Sequence, residues 1–144
     1  MDNFPVSQDI PALIDVMDVA AVERILTLAA GEEIEIVRPP RSGLVMMRCT
    51  DAFGCDFHLG EVLVCETELS CRGRRGYGMV SGDRPRWALA RAAAELILGG
   101  NDPHLQRALR QIAETEQERL TRTREQERTL TARTRVSFDL MAGK

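Results

Sequence analysis

Apolar residues near the start of the chain recur at helical spacing. Ile10, Leu13, Ile14 and Met17 share one helical face, and Val22, Ile25, Leu26 and Ala29 share another. Asp18 stands where an N-cap belongs, and Gly31 supplies a stop. The simplest reading is an αα-hairpin with one shared core face. From Glu33 to Ser81 the period falls to two. Ile34 and Ile36 alternate with Glu33 and Glu35, and Pro39–Pro40 is expected to end that strand. Gly43 then opens a second strand over 44–50. The stretch 55–70 reads as one long strand or two, with a bulge at Gly60–Glu61. Arg72-Gly73-Arg74-Arg75-Gly76 reads as a hairpin turn that returns through 77–81.

Helical spacing then resumes. Gly82–Asp83 reads as a turn and cap, with Pro85 in the first helical turn. Trp87, Ala90, Arg91, Ala94 and Leu98 follow at i, i+3, i+4 spacing until Gly99–Gly100. A further helix begins after Asn101–Asp102, with Leu105, Leu109 and Ile112 on one face. From Glu114 to Thr129 the only large apolar side chain is Leu120. A helix from Pro103 to Ala132 is about 45 Å long, whereas a compact domain of this size is under about 40 Å across. It must overhang or bend. Apolar character returns at Val136, Phe138, Leu140 and Met141. The expected fold is α+β: an antiparallel sheet of four to five strands packed with the N-terminal helical hairpin and the Ala-rich helix, plus a long C-terminal arm. The expected division is a core over 1–102 and a partner-contacting arm over 103–144.

Composition narrows the chemistry. With 144 residues, 44% hydrophobic and 28% charged, the chain is long enough for one core. Of its 19 basic residues 18 are Arg, and the single Lys is Lys144, which argues against Schiff-base and P-loop lysine chemistry. Two His and one Tyr leave few groups for proton transfer near neutral pH. The net charge of −3 divides into −9 over residues 1–70 and +6 over 71–144. Acids interleave with most of the arginines of the second half, which weakens a phosphate-tracking reading. Cys49, Cys55, Cys65 and Cys71 lack the close pairing of zinc or redox sites. Acids and prolines near the N-terminus do not make a secretory leader, and no apolar run reaches membrane-spanning length. The chain therefore reads as cytoplasmic, with reduced thiols and no membrane or nucleic-acid partner.

Individual motifs each have a chemical and a plain reading. The Arg72–Gly78 turn has the glycines and guanidinium groups of an anion nest, but it lacks the strand-to-helix setting of dinucleotide or P-loop motifs; an exposed basic turn explains it more simply. Strand parity pairs Cys65 with Cys71 and Cys55 with Phe57, which predicts thiols facing a core. His58 has the opposite parity from Cys55, against a shared metal site. Glu61, Glu66 and Glu68 cluster on or near one strand, and Glu66 and Glu68 share a face by parity, which offers acid–base groups, although a solvent face accounts for them.

Taken in order, several of these segments resemble a known family. They are Leu59-Gly60-Glu61-Val62-Leu63-Val64-Cys65-Glu66, then Gly76-Tyr77-Gly78 and Gly82, then the Ala-rich helix, and finally Ala132-Arg133-Thr134-Arg135-Val136-Ser137-Phe138-Asp139-Leu140-Met141. The chain is similar over nearly its whole length to the G subunit of the carbon–phosphorus lyase core complex. It departs from that pattern at Ser137, where the family often has Asp, and at Trp87-Ala88-Leu89, where the family has a His-Ala-Glu pattern. The resemblance implies phosphonate catabolism within a hetero-oligomer of the other core subunits. That assembly takes ATP and an alkylphosphonate as substrates. It implies no cofactor or metal in this chain, with iron–sulfur and metal sites in other subunits, and it carries over no catalytic residue. Arg133, Arg135, Val136, Phe138 and Met141 are the candidate partner-binding residues. The rival readings are an independent small enzyme using Glu61, Glu66, His58 or a thiol, and a nucleic-acid-binding adaptor using the Arg-rich half.

Overall fold

The computed structural model describes residues 9–134. Its elements are α1 (Ile10–Ile14), α2 (Val19–Ala29), β1 (Ile34–Thr50), β2 (Asp56–Cys71), β3 (Arg74–Ser81), α3 (Pro85–Leu98) and α4 (Pro103–Arg133). The class is α+β, with one antiparallel sheet in the order β1-β2-β3.

Among the described residues the sheet has three strands, where the sequence pattern suggested four or five. Pro39–Pro40 does not end β1. The pairing with β2 shifts register between Ile36 and Arg38 and again between Arg38 and Arg41, then continues to Thr50. An edge strand can absorb prolines, because one row of its N–H groups faces away from the ladder. Thr67, fully buried on β2, donates its hydroxyl to the Arg38 carbonyl at 2.7 Å and so satisfies an acceptor within this irregular stretch. The expected bulge near Gly60 is present. Met47 pairs with Gly60 and Arg48 with His58, leaving Leu59 as the extra residue. The β2–β3 connection is tighter than the motif implied. Arg72 (φ 49°) and Gly73 (φ 78°) form a two-residue turn, and β3 already begins at Arg74.

Helix boundaries follow local chemistry. Asp18 caps α2 by accepting from the Ala21 N–H at 2.8 Å. Asp102 caps α4 by accepting from His104 and Leu105. Asp83 does not cap α3: Arg84 occupies the N-cap position, and the Asp83 carboxylate instead accepts from the Ser42 hydroxyl.

α3 is the centre of the packing. One side, with Ala88, Ala92, Ala93 and Leu96, lies on the sheet against Cys65, Leu69, Cys71 and Val80. Its other side, with Ala90, Ala94 and Ile97, meets α1, α2 and the first turns of α4 through Ile14, Val22, Ile25, Leu109 and Ile112. The alanines serve a close approach. A Cβ added at Gly76 would run into the Ala92 carbonyl oxygen, and one at Gly78 into that of Ala88. Gly76-Tyr77-Gly78 and the Ala-rich helix are therefore two halves of one tight contact.

The contacts also orient the molecule. β3 runs from the Arg72–Gly73 turn to Ser81, and α3 runs back, so that the Leu96 carbonyl receives Arg74 near the turn. α4 starts there and runs the other way, reaching the N-terminus of α2 where Glu116 accepts from the Asp18 N–H. Asp15, Ser81, Arg84 and Trp87 cluster at that second end: Asp15 accepts from Ser81 and Arg84, and the Trp87 indole donates to the Met17 carbonyl.

Candidate functional site: an apolar ribbon and a polar helix at one end

Two structures leave the core at this second end. The last β2–β3 pair is Val64 with Ser81, so β1 from Leu44 and β2 up to Leu63 continue as a two-stranded ribbon. Its β2 arm, 56–63, projects about 26 Å at strand rise. Leu44, Met46 and Leu63 lie on its helix side and are 62%, 56% and 44% exposed. Val45, Met47 and Phe57 lie on the opposite face and are exposed as well. Phe53, in the connecting turn, is 92% exposed. An apolar surface on both faces of a ribbon is uncommon on a monomer and marks an interaction surface.

The second projection is α4. Leu109, Ile112, Ala113 and Glu116 are buried, whereas every residue from Thr121 to Thr134 is exposed. That overhang is about 21 Å long. Within it Thr121, Thr123, Thr129 and Thr131 each donate to the carbonyl one turn earlier. Of the candidate partner-binding residues, Arg133 lies in its last turn. Arg135, Val136, Phe138 and Met141 lie outside the described residues.

The candidate catalytic groups are dispersed. Glu66 and Glu68 share the sheet face turned away from the helices, as parity predicted, while Glu61 has the opposite parity. Both carboxylates are engaged. Glu66 accepts from the Tyr77 hydroxyl at 2.6 Å and from Arg41 at 2.6–2.8 Å, and Glu68 pairs with Arg75 at 2.6 Å and Arg38 at 3.4 Å. The Tyr77 hydrogen bond, then that of Arg41, holds the Glu66 carboxyl below its usual range. The same bond raises the Tyr77 phenol. A carboxylate stabilised in this way is a poor proton donor or acceptor near neutral pH.

The thiols and histidines do not converge either. Cys65 and Cys71 face the core as expected, but Cys55 is exposed beside the ribbon turn, where among the described residues no helix covers the sheet. His58 lies on the ribbon opposite Arg48, while His104 begins α4 at the other end of the fold. Among the described residues, no group of three or more His, Cys, Asp or Glu is placed to hold a metal ion. The Arg72–Gly78 turn likewise scatters its guanidinium groups. Arg74 donates to the Leu96 carbonyl, Arg75 pairs with Glu68, and Arg72 lies 3.9 Å from Glu32. The cleft beside this turn also has Glu32 and Asp102 in its wall, so its arginines face acids. Among the described residues, no helix is long and apolar enough to cross a membrane.

The ribbon's exposure carried a sequence signal: between Leu59 and Val64 the apolar residues cease to alternate with polar ones. What no pattern revealed is that the helices stop short of this segment. Comparison with curated proteins gives no match. Residues 8–143 match the family described as phosphonate metabolism protein PhnG. The chain, with glycines against an alanine helix and its apolar ribbon, belongs to that family.

Proposed function

We propose that this chain is a subunit of the carbon–phosphorus lyase core complex and assists its ribosyl-transfer step. In that step an alkylphosphonate oxygen bonds to C1′ of the ribose of ATP as the bond to adenine breaks, giving α-D-ribose 1-alkylphosphonate 5-triphosphate. The observation that carries this reading is the family match over residues 8–143. The apolar ribbon and the overhanging α4 support a role within an assembly, and the engaged carboxylates support a structural or co-catalytic role over independent turnover. The arginines suit fixed, permanently charged contacts with neighbouring subunits. The isolated chain is inactive in this reading, and its place is the cytoplasm.

Co-expression with the other core subunits tests it. Recovery of a stable complex at equal stoichiometry is the expected result, together with adenine release that requires ATP, phosphonate and every subunit. A chain that stays apart from those subunits overturns the reading. Adenine release by the isolated chain overturns its non-catalytic part.

A further inference from the structure

The ribbon and the α4 overhang leave the same end of the core and are separated by the layer that α3 occupies. Over the length of the core α3 lies between the sheet and α4, and it begins at Pro85. Beyond that point the ribbon continues the sheet layer and residues 121–134 continue the α4 layer. Among the described residues no helix fills the space between them. Helices pack at 8–10 Å between axes, and a similar spacing from sheet to helix leaves about 20 Å between the two projections. One helix, about 10–12 Å across with its side chains, fits that slot in line with α3.

The walls specify what such a helix looks like. On the ribbon side they are apolar: Leu44, Met46 and Leu63. On the α4 side, the stripe of Leu109, Ile112 and Glu116 continues through Leu120, Thr123, Glu127 and Leu130. Arg122, Arg124, Arg128 and Arg133 flank that stripe on its two sides, and with Glu125 and Glu127 they give a charge of +2 over 121–134. We propose that the slot receives one amphipathic helix of another subunit, apolar toward the ribbon and toward Leu120 and Leu130, with acidic residues along its edges that meet the flanking arginines. A second copy of this chain fits poorly. Its projecting helix is the same basic overhang, which would meet like charge and bring little apolar surface to the ribbon. The proposal rests on the reading that this chain works inside a hetero-oligomer, and it identifies the surface and the kind of element that bind there.

The test uses the full chain co-expressed with the other core subunits. A photo-crosslinking amino acid is placed at Met46 in one variant and at Leu130 in another. Both are expected to form adducts with the same helical segment of a single partner subunit. In parallel, Leu44→Lys with Leu63→Glu, an opposite-charge pair across the ribbon, and Arg124→Glu with Arg128→Glu, are each expected to weaken assembly about tenfold or more. The thermal midpoint of the isolated chain is expected to stay unchanged, because these side chains are exposed. Adducts only to a second copy of the chain overturn the proposal. So does an intact complex in which the two positions are silent or reach different subunits, or one that tolerates both variant pairs. If the unaltered chain fails to assemble at all, the proposed function fails as well, which separates the two outcomes.

Discussion

The two halves of β2 are one continuous strand with opposite fates. From Cys65 to Cys71, alternate residues are buried against α3 while Glu66 and Glu68 face outward among arginines. Among the described residues β1 is the only sheet neighbour of Asp56–Leu63, and Phe57, Leu59 and Leu63 are exposed. The difference is α3, which begins at Pro85 and so covers only one half. A strand's apolar content therefore does not locate a core. Coverage does, and here the uncovered half keeps residues that water disfavours by about 25 cal/mol for each Å².

Gly78→Val attacks the covered half most directly. The new side chain meets the Ala88 carbonyl, which belongs to helix backbone and cannot step aside. A loss of about 3 kcal/mol or more is expected in chemical denaturation. Gly43→Ala, with open space around its new Cβ, is expected to change stability by less than about 0.5 kcal/mol. Equal effects at the two glycines would remove the distinction between the halves.

Leu109→Ala extends the comparison to α4. Leu109 is fully buried, so a loss of about 2–4 kcal/mol is expected. Leu130→Ala, on the exposed overhang, is expected to lie within about 0.5 kcal/mol of the parent in the same measurement. Deleting residues 133–144 is expected to leave the unfolding midpoint nearly unchanged while sharply reducing recovery of the complex. A truncated chain that unfolds would make the terminus part of the core.

The smallest effect concerns the outer sheet face. Tyr77 and Arg41 depress the Glu66 pKa in the folded chain. The stabilisation this brings is fully present above the unfolded carboxylate value, about 4.3, and is lost as pH falls through the lower folded value. Tyr77→Phe removes the leading cause, so the Glu66 titration followed by NMR is expected to move upward toward the ordinary value. An unmoved titration would show that Arg41 alone holds the carboxylate.

Several elements were legible because their signals are local. Asp18 and Asp102 announce their helices, since a short acidic side chain satisfies N–H groups within three residues. The bulge at Gly60 was legible too, in a glycine interrupting an otherwise regular strand. Pro39–Pro40 misled for an equally physical reason. Proline breaks a central strand but not an edge, and which strand is an edge depends on its neighbours. The same holds for the site. The sequence brought Glu61, Glu66 and Glu68 together as candidates, while the sheet separates Glu61 from the others and places Arg38, Arg41, Arg75 and Tyr77 around Glu66 and Glu68.

The sequence by itself determined the two periodicities, the order of helices and strands, the scarcity of proton-transfer groups and the length of the polar helix. Each is a property of neighbouring residues or of composition. Only the tertiary structure decided that α3 ends its cover at Ser81, that Gly76 and Gly78 exist for its close approach, and that the ribbon and α4 leave from the same end. Those depend on contacts between distant segments, where packing rather than local preference selects which apolar residues are covered.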